Sequence, residues 1–126
     1  MFTLSKAERL HKKKIIDQIF EGGKAKSFST FPIRVVFMPI YDDEPEQAQI
    51  MISVSKKRFK QAVKRNKIKR QIREAYRLNK NSLINHLKEK NTKLAIVFIY
   101  IANEIHNTHL VESKMKLAIS KVTEMT

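Results

Sequence analysis

Apolar residues first recur at helical spacing. In "SKAERLHKKKIIDQIFEGG", Ile15, Ile16, Ile19 and Phe20 would share one side of a helix. Gly22 or Gly23 supplies its stop. Ser5 and Glu8 have the spacing of a capping box, which starts the helix at Ser5 and makes Leu10 its first core contact. The period then changes to two. Phe31, Ile33, Val35 and Phe37 alternate with Arg34, Val36 and Met38 in "FSTFPIRVVFMPIY", one strand with Pro32 and Pro39 suited to its ends or to a sheet edge. "AQIMISVSK" alternates again, with Ile50, Ile52 and Val54 against Met51, Ser53 and Ser55. The short segment "YDDEPEQ" between them predicts an antiparallel hairpin.

Further along, "LNKNSLINHLKEKNTK" is polar, with one helical turn set in Leu83, Ile84 and Leu87. "KLAIVFIYIA" is apolar on both parities, the mark of a strand covered on both faces. "NTHLVESKMKLAISKVTEM" sets Val111, Met115, Ala118, Val122 and Met125 on one stripe, with Asn107 or Thr108 as its cap. A basic helix over about residues 63–77 completes the order α-β-β-α-β-α. That order predicts an α+β fold, one sheet packed by helices. The 126 residues fit a single domain, 1–126, with no repeat or linker.

Charge changes the picture most. From Lys56 to Arg77, eleven residues are Lys or Arg against one acid, Glu74, so this window holds most of the chain's net charge of +14. With Phe59 at zero on a helical wheel, Ile68, Ile72, Ala75 and Tyr76 fall between roughly 160° and 260°. Asn66, Arg70, Arg73 and Arg77 fall within about 40° of zero, with Lys69 on the shoulder. One face is a core seam and the other a cationic stripe on the order of 16 Å long. Phe59, Ala62 and Val63 lie on the wrong side of this wheel, so the axis bends there or the segment is a separate turn. Arg65 falls near the seam and must emerge at the helix N-terminus or extend outward along its stem. Ion pairs within the helix need acids, and Glu74 alone cannot serve. A polyanion resolves the repulsion instead, and Asn66 among the cations suggests a directed hydrogen bond.

Other chemistry finds less support. With no cysteine, disulfides, thiolate nucleophiles and Cys-based zinc sites are excluded, and a reducing cytoplasm suits the composition. The longest apolar run has nine residues, short of a membrane span, and the N-terminus lacks a signal-peptide core. A membrane-surface helix would want exposed aromatic anchors on its basic face. A DNA reader would show a helix-turn-helix, whereas here a strand ending "VSKKR" leads into the helix. Asp42, Asp43, Glu44 and Glu46 cluster, and metal nucleases need carboxylates, but a loop beside Pro45 fixes no geometry, and a solvated loop is expected. His106 and His109 are three apart without a third ligand nearby in sequence.

"ISVSKK…AVKRNKIKRQIREAYR" resembles the basic signature of the bacterial ribonuclease P protein subunit: a strand ending Ser-Lys-Lys, then an Arg-Asn-Arg-x-x-Lys-Arg-x-x-Arg run. Arg65, Asn66, Lys69, Arg70 and Arg73 match, and Lys67 replaces the second Arg, keeping charge without the planar fork. "ERLHKKKIIDQIFEGGK" is similar to the family's N-terminal segment, with Arg9, Leu10, Phe20 and Gly23 in register. The likeness covers roughly residues 4 to 101. It implies an antiparallel or mixed sheet of about four strands with a left-handed βαβ crossover, against the general rule of hand. It implies a catalytic RNA partner that holds the active site and the catalytic Mg²⁺, and a role in cutting the 5′ leader from precursor tRNA, with no DNA or membrane partner and no catalytic residue or metal ligand on the protein. The RNA-binding set is then Lys56, Lys57, Arg65, Asn66, Lys67, Lys69, Arg70, Arg73 and Arg77. A leader cleft follows by position at Lys13, Ile16, Phe20 and Arg34. In the family Ile16 stands where an aromatic is common and Arg34 at a tyrosine position, so the resemblance implies that Arg34 stacks its guanidinium or binds phosphate. Locally, Phe20 suits the core as well as a stacking platform. The alternative is a ribosomal or other structured-RNA-binding protein without a role in cleavage.

Overall fold

The structure, a computed structural model, describes residues 6–21, 23–41 and 46–126. After a 3-10 turn at Lys6–Glu8 come α1 (Lys13–Glu21), β1 (Lys26–Thr30), β2 (Ile33–Ile40), β3 (Ala48–Val54), α2 (Ala62–Asn79), α3 (Asn81–Glu89), β4 (Lys93–Tyr100) and α4 (Thr108–Met125). The four strands form one mixed sheet in the order β1-β2-β4-β3. β1 with β2 and β2 with β4 are antiparallel, whereas β3 runs parallel to β4.

The expected hairpin is therefore not made. β4 lies between the two strands that the hairpin would have paired, and α2 and α3 carry the chain across from β3 to its parallel neighbour. β4 is the most apolar strand, buried at all but its first and seventh positions, and the centre of the sheet is where both its faces are covered. Residues 28–41 are also not one strand. The chain turns at Phe31 and Pro32, joined by a cis peptide, and "KSFST" folds back as a short edge strand.

The two sheet faces carry separate cores. On one, Ile33, Val35, Phe37, Ile50, Ile96 and Phe98 meet Ile68, Ile72 and Tyr76 of α2, Leu83 and Leu87 of α3, and Val111, Met115 and Val122 of α4. On the other, Val36, Met38, Ile40, Ala95 and Val97 meet Leu10, Ile15 and Ile19. α1 is shorter than expected. It begins at Lys13 because Leu10 is held in an extended segment, its N–H donating to Ile50 O at 2.8 Å. Ser5 of the expected capping box lies outside the described residues, as does Gly22. Gly23 sits at φ +68°, a backbone conformation that favours glycine after a helix end.

Asn107 caps α4, its Oδ1 accepting from the Leu110 N–H at 2.8 Å. The predicted stripe is buried except Met125, and Ile119 joins it. Gln71 ties α2 to this cap region by donating to His106 O at 3.0 Å and Thr108 Oγ1 at 3.2 Å. The polar stretch read as a single turn is a complete helix, α3, anchored by Leu83 and Leu87.

Candidate nucleic-acid interface

The seam of α2 forms as its spacing predicts. Ile68, Ile72, Ala75 and Tyr76 are buried, and Gln71 joins them. Asn66, Lys67 and Arg70 are exposed, while Arg65, Lys69, Arg73 and Arg77 are half-buried on the flanks. Burial of the seam fixes the helix's roll, and the roll holds the exposed cations outward against their mutual repulsion.

Phe59 resolves the conflict on the wheel. It precedes α2, in a turn closed by its N–H donating to Ser55 O at 3.1 Å, and its buried ring packs 6.0 Å from that of Tyr100. Ala62 and Val63 open the helix on its solvent side. Arg65 turns back toward this segment, Nη1 donating to Phe59 O at 2.8 Å and Lys60 O at 2.9 Å. Part of its hydrogen-bonding capacity is thus committed to organising the entry to α2. Lys56 and Lys57 are exposed in the same turn, where the Lys57 N–H donates to Ser55 Oγ. Arg77 is engaged by Glu74 through Nη2–Oε1 at 2.5 Å and Nε–Oε2 at 3.2 Å. That hydrogen bond holds the Glu74 carboxyl below its ordinary value and raises the Arg77 guanidinium, with burial opposing both.

Sequence reasoning passed over three nearby cations. Arg58, Lys60 and Lys64 line a depression of about 470 Å³ at the turn before α2, and Arg58 donates to Asn103 Oδ1 at 2.7 Å. Their position in the basic window was the available signal; the fold of the turn was not.

The second proposed surface lies on the α1 side of the sheet. Strand register places Ser29, Arg34, Ile99 and Ser53 in one row, and Ser27, Val36, Val97 and Met51 in the next. Ile16 of α1, Met51 and Ile99 all pack against the same apolar cluster. Arg34 is exposed and Nη2 donates to Ser27 Oγ at 3.3 Å. Lys13, Ile16 and Phe20 follow at i, i+3 and i+7 on α1, with Phe20 52 % exposed and therefore not a core residue. Met51, Ser53 and Ile99 belong to this surface beside the predicted residues; the alternation in β3 identified the face of Met51 and Ser53, but only the register brings them and Ile99 to the side of Arg34.

Asp42, Asp43 and Glu44 of the acidic cluster lie outside the described residues; Glu46 is half-buried. Among the described residues no three His, Asp or Glu side chains come together as a metal would require. No helix among them is long and apolar enough to cross a membrane.

Comparison with known proteins gives this arrangement its family. The Ribonuclease P family model matches residues 4–122. The chain belongs to the ribonuclease P protein family. A ribonuclease P protein component of Porphyromonas gingivalis is 38 % identical over 121 residues, 96 % of this chain and 87 % of that one. Another, from Chlorobium phaeobacteroides, is 31 % identical over 103 residues, covering 79 % and 69 %. The Staphylococcus aureus RNase P protein structure superposes with a TM-score of 0.69 at 29 % identity, covering 93 % of this chain and 98 % of that one. The Thermotoga maritima RNase P protein gives 0.68 at 25 % identity, covering 90 % and 96 %. The chain therefore serves the tRNA-processing ribonuclease P ribonucleoprotein as its protein subunit, and its partner is the ribonuclease P RNA. Membership sets aside the ribosomal alternative.

Proposed function

We propose that this ribonuclease P subunit grips the catalytic RNA with the cationic side of α2 and the preceding turn, and holds the 5′ leader of precursor tRNA on the α1 side of the sheet. The RNA surface comprises Lys56, Lys57, Asn66, Lys67, Lys69, Arg70 and Arg73, with Arg65 and Arg77 at its ends. Arg65 also shapes the turn through its carbonyl contacts, and Arg77 acts with Glu74 beside it. Lys13, Ile16, Phe20 and Arg34 line the leader surface, where Phe20 offers an exposed ring and Arg34 a planar cation for a base or phosphate. Catalytic Mg²⁺ belongs to the RNA, and the complex works in the cytoplasm.

The observation that carries this reading is the division of α2 into a buried seam and an exposed cationic face with one acid among its charges. Phosphates are the ligand that such a face lacks. Reconstitution tests it. Mixed with a ribonuclease P RNA, the protein should accelerate precursor-tRNA cleavage at low Mg²⁺, where protein cations best substitute for screening ions. Leader shortening should weaken substrate binding by the assembled complex. An unchanged cleavage rate on adding protein would refute the assisting role, and indifference to leader length would refute the leader surface.

A further inference from the structure

The polar side chains of the basic face of α2 leave the helix in two rows. Asn66 and Arg70, one turn apart, are exposed; Lys69 and Arg73, also one turn apart, are half-buried. The second pair lines a cleft of about 300 Å³ together with Arg9, Leu10 and the β3 residues Ile50, Met51 and Ile52. No carboxylate lines this cleft. Among the described residues, Arg9, Lys69 and Arg73 form no ion pair.

Arg9 is carried there by a short strap. Leu10 donates its N–H to Ile50 O at 2.8 Å and buries its side chain. The buried Gln49 donates from Nε2 to Ala7 O at 3.4 Å, and Glu8 pairs with Lys80 at the junction of α2 and α3. Between Ala7 and Leu10 only Arg9 is exposed. The strap runs alongside the edge strand β3 and is joined to its outer edge by a parallel bridge between Arg9 and Ile50. Three cations above apolar side chains at a sheet edge match a nucleotide, whose phosphate seeks charge and whose base or sugar seeks a dry surface.

We propose that Arg9, Lys69 and Arg73 form one phosphate site for a single-stranded RNA segment lying in the cleft between the strap and α2, over β3. The proposal rests on the RNA-binding reading above and adds a site to it. Ile50 and Ile52 pack toward the α2 side of the sheet and Met51 toward the α1 side. A strand in this cleft passes from the cationic helix to the surface carrying Arg34 and Ile16. Either RNA of the complex can supply the segment, the ribonuclease P RNA or the precursor-tRNA leader.

The test uses the full chain with Arg9→Gln. One arm measures affinity for ribonuclease P RNA; the other measures affinity of the assembled complex for precursor tRNAs with long and short leaders. The variant should lose about five- to tenfold in one arm, and that arm names the source of the segment. The log–log salt slope there should flatten by about 0.7, which a merely structural role would not produce. Combining Arg9→Gln with Arg73→Gln should cost less than the product of the single losses, because both serve one phosphate. Arg9→Lys should keep the slope, which guards against a folding effect of the first variant. Full affinity in both arms, or losses that simply multiply, would overturn the proposal. Arg70→Gln reports separately on the wider reading. If it weakens binding while Arg9→Gln does not, the cleft site falls and the helix surface stands; if neither weakens binding, both fall.

Discussion

Arg65 sits in the basic signature yet its guanidinium reaches backbone, and Arg65→Met separates the two roles. Methionine keeps an unbranched stem of similar helix propensity, so packing and helix formation are little changed. What disappears is a charged donor bridging Phe59 O at 2.8 Å and Lys60 O at 2.9 Å. Hydrogen bonds from charged groups contribute about 1.5–3 kcal/mol each when sheltered, and one of this pair is solvent-exposed, so a joint loss of about 2 kcal/mol is reasonable. For 126 residues the unfolding entropy is about 0.26 kcal/mol/K, which converts the loss to a fall of about 8 °C in Tm. Removing a cation also relieves self-repulsion and would mask part of this at low salt. The melt is therefore run near 1 M salt, where screening acts over about 3 Å. RNA affinity is measured separately at physiological salt. If Tm moves by less than about 2 °C while RNA affinity drops tenfold, Arg65 is a phosphate ligand and its contacts to the turn carry little.

Tyr76→Phe should be neutral at pH 7 to within about 1 kcal/mol, since the buried hydroxyl has no hydrogen-bond partner among the described residues. Burial, then the charges of Glu8 and Glu46, push the Tyr76 phenol far above its ordinary value of 10.0. Its folded-state value is raised, so its contribution is whole below pH 10 and drains as pH climbs toward that value. Urea melts of wild type and Tyr76→Phe should then diverge above pH 10, the variant losing less; parallel curves would show that the phenol is accessible. Ile72→Asp puts a carboxylate at a fully buried position and should abolish the cooperative melt, whereas Ile72→Val costs about 1 kcal/mol. A near-normal melt for the aspartate variant would mean that the faces of α2 are inverted. Low-millimolar sulfate should raise Tm along a saturating curve, by binding the native cationic face; a shift that only grows linearly into the molar range would leave surface exclusion as the cause.

Two elements were legible because their patterns admit one environment. "KLAIVFIYIA" is apolar on both parities and became the central β4. The Ile68, Ile72, Ala75 and Tyr76 spacing became the buried seam of α2. Alternation in β2 and β3 announced which faces they bury but not which strand lies beside them, and a short connecting segment favoured the wrong neighbour. β1 was hidden by its polarity, with Phe28 its one large apolar residue, and α3 by the same cause. At the interface, sign and side of charge could be read from the wheel. The contacts that turn Arg65 inward could not, because they depend on the conformation of the segment before the helix. Nor could the strap that brings Arg9 beside Lys69 and Arg73, which sit some sixty residues further along the chain.

The place of β4 has a consequence for biosynthesis. Both of its neighbours precede it, and it pairs with residues as early as Ile33. Until Tyr100 has left the ribosome, β2 and β3 have no shared partner and the seam of α2 has no finished sheet to cover. Such high contact order delays closure of the core. Until then nothing fixes the roll of the basic helix, and the last central strand to be synthesised is what gives its cations a common direction.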